Sequence, residues 1–98
     1  MAYELEIMNK QLEKSRTRWR RWLGNKTRCD KSNYLTLLES NWLGWVNEVL
    51  GDLYVPIGYG AARQDIKELY LMAINHANMT QLRRLDNIYA IELAEAGR

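Results

Sequence analysis

Apolar positions in the first quarter of the chain recur at helical spacing. Leu5, Met8, Leu12, Ser15, Trp19 and Trp22 are separated by 3, 4, 3, 4 and 3 residues, which aligns them on one stripe of an α-helix. The pattern predicts a helix over residues 3–23, ended by the glycine stop signal Gly24-Asn25. Leu35, Leu38, Trp42, Trp45 and Val49 repeat the 3, 4, 3, 4 series and predict a second helix over 34–50. Asp30, Ser32 or Asn33 in the polar link 25–33 would cap it, and Gly51 would follow its last turn. Gly44 in its middle costs about 1 kcal/mol relative to alanine and is expected to admit another backbone between Trp42 and Trp45. A third helix, from 61 or 62 to 77, carries a broad apolar face of Ile66, Leu69, Tyr70, Ala73, Ile74 and Ala77. Asn78 and Gln81 stand in capping-box register ahead of a last helix over 80–96, with Leu82, Leu85, Ile88, Tyr89 and Leu93 on one face. Between the second and third helices, residues 52–60 read DLYVPIGYG, non-helical and unusually apolar for a loop. The segment either folds onto the core or is offered to a partner. These elements make one all-α domain over 1–98, a compact bundle of about four helices with a Pro/Gly-containing loop.

Charge changes this picture at one place. The formal net charge is only +2. Residues 10–31 hold nine basic side chains against Glu13 and Asp30, a local +7, and the rest of the chain carries −5. The densest part, KSRTRWRRWLGNKTR over 14–28, contains Trp19 and Trp22 and no acid. Taken alone, tryptophans at helical spacing are core residues as readily as anchors. The cations repel one another and ask for counter-charges. The partner-binding candidates are therefore Arg16, Trp19, Arg20, Arg21, Lys26 and Arg28, with Tyr54, Pro56 and Tyr59 from the loop. An acidic protein surface would use arginine and tryptophan as hot spots; nucleic acid would use them for phosphate pairing and base stacking. The acidic remainder limits a nucleic-acid footprint, and Glu4, Glu6 and Glu13 dilute any membrane-surface signal. Arg83, Arg84 and Asn87 after HANMTQ offer a helix-turn-helix-like alternative that would read DNA. Pro56, the only proline, is the one site where a prolyl isomerase partner would act.

Catalytic chemistry finds little support. His76 is the only histidine and Cys29 the only cysteine, so a zinc site lacks ligands and an internal disulfide is impossible. His76 near a helix end suits the helix dipole. There is no GxxxxGK[ST], and GYG at 58–60 is too short for a phosphate loop. Asp65 and Glu68 read as a solvated helix surface. The chain is expected to be no enzyme and to use no cofactor or metal. No apolar run reaches signal-peptide or membrane-spanning length, so an intracellular location is expected.

Taken over its full length, opening MAYELEIMNKQLEKSRTRWRRWLGN, the chain resembles the second anti-RecBCD protein family of lambdoid phages. The resemblance rests on size, helical character and this opening rather than on a short motif. It implies inhibition or redirection of the host RecBCD helicase–nuclease through its RecC subunit, in the host cytoplasm. Phage DNA ends would be protected and recombination redirected. It carries over no catalytic residue and no interface pattern.

Overall fold

The computed structural model describes residues 2–28, 35–53 and 63–97. They form an all-α bundle of four helices: α1 Ala2–Arg28, α2 Ser40–Leu50, α3 Arg63–His76 and α4 Met79–Ala96. A 3-10 turn, Gly51–Leu53, follows α2. Both α1 and α2 pack on α3 and α4, and Trp22 of α1 stacks on Trp42 of α2 with ring centroids 4.7 Å apart.

The core is drawn from all four helices. Trp19 and Leu23 meet Trp42, Trp45, Val46 and Leu50 from α2, and Leu82 and Leu85 from α4. All six apolar residues expected on the third helix's face, from Ile66 to Ala77, are buried. The capping box forms as expected. The Asn78 side chain accepts from the Gln81 N–H at 2.9 Å, and Gln81 Oε1 accepts from the Asn78 N–H at 2.9 Å, so two orphan donors at the start of α4 are satisfied. Gly51 closes α2 at φ 54°, a left-handed conformation that only glycine enters without penalty.

The helices differ from expectation in several respects. The first helix does not stop at Gly24-Asn25; it runs to Arg28. Leu23 is fully buried, and Lys26 bonds Glu92 of α4 at 3.2 Å, so tertiary contacts hold the last turn through the glycine. The second helix is broken. Leu35 and Thr36 are helical, Leu37–Glu39 form a turn, and Glu39 is extended at ψ 148° before α2 begins. The break releases the Leu37 carbonyl from the helical ladder, and the buried Tyr70 hydroxyl donates to it at 2.6 Å. Leu37 and Leu38 are then both buried, while Leu35 stays exposed. Gly44 is exposed and no described atom stands within 4 Å of where its Cβ would be, so among the described residues no other backbone approaches it closely.

A further difference is α1's reach. Its 27 residues give a rod of about 40 Å at 1.5 Å per residue, while α3, its main neighbour, has 14. Leu5 and Met8, the start of the inner stripe, are 60% and 61% exposed. They continue the inner stripe, but no described neighbour covers them.

Candidate docking surface

The inner face of α1 is anchored by Leu12, Trp19 and Leu23 in the core, so its opposite face points to solvent. The cations of 14–28 divide between these environments. Arg16 donates from Nη2 to the Ala77 carbonyl at 3.0 Å and from Nη1 to Glu13 at 3.1 Å. It thereby holds the junction of α3 and α4, where the last helical carbonyls favour positive charge. Arg20 donates from Nε and Nη2 to Asn75 Oδ1 at 3.1 and 2.6 Å, and reaches Glu13 at 3.5 Å. Arg18 pairs with Asp86 of α4 at 2.7 Å, its guanidinium 5.5 Å from the Trp19 ring centroid. Lys26 pairs with Glu92 and lies 5.8 Å from the Trp22 centroid. These four cations tie α1 to the bundle or to its own Glu13. The bonded Arg16 guanidinium, with Arg20 beside it, holds the Glu13 carboxyl below its usual pKa of 4.5.

Lys10, Lys14 and Arg21 are different. Each is exposed, and none has a hydrogen-bond or ion-pair partner among the described residues. They line a shallow groove of about 780 Å³ together with Thr17, Arg18 and Trp22. Glu13 is the one acid among its described lining residues. Around the side of α1, Lys14 and Arg18 meet Arg83 of α4 at a second hollow of about 300 Å³. Arg83 and Arg84 are both exposed, and Arg84 is paired with Glu48 of α2. The Arg83-Arg84 pair is thus divided between a surface and a helix–helix tie.

Of the described residues expected at a partner surface, Arg21 alone is both exposed and without a described internal partner. Trp19 is 3% exposed and belongs to the core. Trp22 is half-buried, edge-on to Trp19 at 5.3 Å, and shows one side to the groove. Arg16, Arg20 and Lys26 are engaged within the chain. The Arg28 side chain and Tyr54, Pro56 and Tyr59 lie outside the described residues, as does Cys29.

Lys10 and Lys14 are the other unpaired cations of the groove; Lys14 opens the basic stretch, but neither is among the partner-binding residues expected from the sequence. The signal that finds them is a second periodic series in the same helix. Tyr3, Ile7, Lys10, Lys14, Thr17, Arg21 and Asn25 are spaced 4, 3, 4, 3, 4 and 4, and all seven are exposed.

Among the described residues no three His, Cys, Asp or Glu side chains gather in a way that would hold a metal ion. His76 ends α3, exposed, and Asp65 and Glu68 are exposed on the same helix. No described helix is long and apolar enough to cross a membrane. The surface offers ammonium and guanidinium groups, hydroxyl and indole. Its chemistry is anion recognition, with carboxylate or phosphate as the complementary group. Searches for related proteins add nothing to this: no family model, no curated protein and no solved structure matches the chain.

Proposed function

We propose that this chain is a non-catalytic docking protein that binds an acidic surface on a larger protein through the outer face of α1. The observation that carries the reading is the division of the cations. Four are engaged by internal acceptors, while Lys10, Lys14 and Arg21 line one groove over Trp22, with Glu13 as its one described acid, and form no ion pair or hydrogen bond among the described residues. Exposed like charges on one helix face repel, so a partner's carboxylates would relieve a standing cost. The family resemblance directs this to the host RecBCD enzyme, bound through RecC in the host cytoplasm, with the outcome that its nuclease is inhibited and recombination redirected. The test is co-purification with RecBCD from nuclease-treated lysate, with Chi-stimulated recombination measured alongside. Co-purification and lost Chi stimulation are expected. Unchanged RecBCD behaviour at saturating protein refutes the assignment.

A nucleic-acid-binding module is the second reading. Lys14, Arg18 and Arg83 around one hollow favour it. Engagement of Arg84 by Glu48 and of Arg18 by Asp86 weakens it, because both would have to exchange a carboxylate for phosphate. It requires a salt-sensitive mobility shift with the isolated protein.

A further inference from the structure

The outer face of α1 has more order than a patch of charge needs. Seven of its exposed residues, from Tyr3 to Asn25, keep the 3- and 4-residue spacing of a single helical seam, which runs for about 33 Å at 1.5 Å per residue. Its composition is graded. Tyr3 (73% exposed) and Ile7 (39%) make an apolar end; Lys10, Lys14 and Arg21 make a cationic middle around Thr17; Asn25 closes it. We infer that this seam is one half of a helix–helix interface, and that its occupant is an acidic amphipathic α-helix of the partner protein lying along α1. The inference rests on the docking function proposed above and specifies the kind of surface that is docked.

Three observations select this occupant. The first is axial register. Lys10 and Lys14 are separated by about 6 Å along the axis and Lys14 and Arg21 by about 10 Å. A facing helix repeats those intervals with carboxylates at i, i+4 and i+11, because both rods share one rise and near-aligned helices stay in contact over several turns. The second is the apolar end. Tyr3 and Ile7 call for leucine-like side chains on the occupant, which a nucleic-acid backbone does not provide. The third is the flanking acid. Glu4 and Glu6 border the apolar end and Glu13 borders the groove, which disfavours a continuous run of phosphates and leaves room for one cation on the occupant. Thr17, between Lys14 and Arg21, is small enough to let the two axes approach.

The probe is a fluorescein-labelled helical peptide of about 25 residues. It carries leucines facing Tyr3 and Ile7 and glutamates at the i, i+4 and i+11 positions facing Lys10, Lys14 and Arg21. A second peptide has the same composition with the glutamates moved off that face, and a single-stranded oligonucleotide of equal charge is the third. Anisotropy titration of the full chain is expected to show the patterned peptide binding at least about 10-fold more tightly than the scrambled one at physiological salt. The Lys14→Glu, Arg21→Glu double variant is expected to weaken it about 10- to 100-fold. The Ile7→Asn variant is expected to weaken it without altering its salt dependence. Equal affinity for patterned and scrambled peptides, tighter binding of the oligonucleotide, or self-association that excludes the peptide overturns the inference. The two failures are separable. If charge reversal abolishes RecBCD capture but the peptides bind equally, docking stands and the helical occupant falls. If the pattern is discriminated but RecBCD is not captured, the occupant stands and the assigned partner falls.

Discussion

Replacing Arg16 with alanine separates an internal tie from a docking residue. Arg16 is half-buried, and its guanidinium caps the Ala77 carbonyl at 3.0 Å where α3 ends and α4 begins. A hydrogen bond from a charged donor contributes roughly 1.5–3 kcal/mol, and a cation at a helix C-terminus adds about 0.3–1 kcal/mol. The buried Nε, which has no hydrogen-bond partner, and the side chain's conformational entropy reduce that sum, leaving about 2 kcal/mol. For a chain of 98 residues, each kcal/mol corresponds to about 4–8 °C in Tm, so Arg16→Ala is expected to melt about 8–16 °C below the parent. Urea unfolding followed by circular dichroism gives the free energy, and an unchanged m value establishes that the loss lies in the native state. Arg16→Lys keeps the charge but not the planar fork, and is expected to recover part of the loss. An Arg16→Ala protein within about 0.3 kcal/mol of the parent refutes the tie and returns Arg16 to the free surface.

Other outcomes follow from the same geometry. Tyr70→Phe leaves the buried Leu37 carbonyl without its donor and is expected to cost about 1–3 kcal/mol in urea unfolding; a neutral result would mean that the break before α2 does not depend on that bond. Gly44→Ala meets no described atom within 4 Å and is expected to stabilise by about 0.5–1 kcal/mol, with Tm rising; a fall would show that the bare backbone is required there. Glu13 has a folded-state pKa below its unfolded value, with the Arg16 hydrogen bond as the main cause. Its contribution is therefore present above the unfolded pKa and is lost as pH falls through the lower, folded pKa. Glu13→Gln is expected to flatten the acid limb of the stability–pH curve, and an unchanged limb would contradict the arrangement.

Helical periodicity made most of the bundle legible, because the face of α3 from Ile66 to Ala77 and the Asn78–Gln81 box are local patterns with local causes. What it missed has non-local causes. Nothing in the Leu35–Leu38–Trp42–Trp45 spacing announces the break before α2, or that a hydroxyl 33 residues away bonds the Leu37 carbonyl it releases. Gly24 reads as a stop, yet Leu23 in the core and Lys26 on Glu92 carry α1 past it. Periodicity identified the side of Leu5 and Met8 that faces inward, but not that α1 outreaches its neighbours. The basic stretch was legible as a surface and illegible in its parts. Arg16, Arg18 and Arg20 differ from Lys14 and Arg21 only in which neighbour folding places beside them. Lys10 and Lys14 belonged to a second seam masked by the stronger apolar one.

The most direct measurement is the affinity of purified RecBCD for the Lys10→Glu, Lys14→Glu, Arg21→Glu triple variant, with its Tm recorded alongside. At about 0.7 kcal/mol per exposed charge, binding is expected to weaken roughly 30-fold. Tm should stay within about 2 °C of the parent, since none of the three has a described internal partner. Undiminished affinity, or binding lost only together with the fold, would contradict the outer face of α1 as the docking surface.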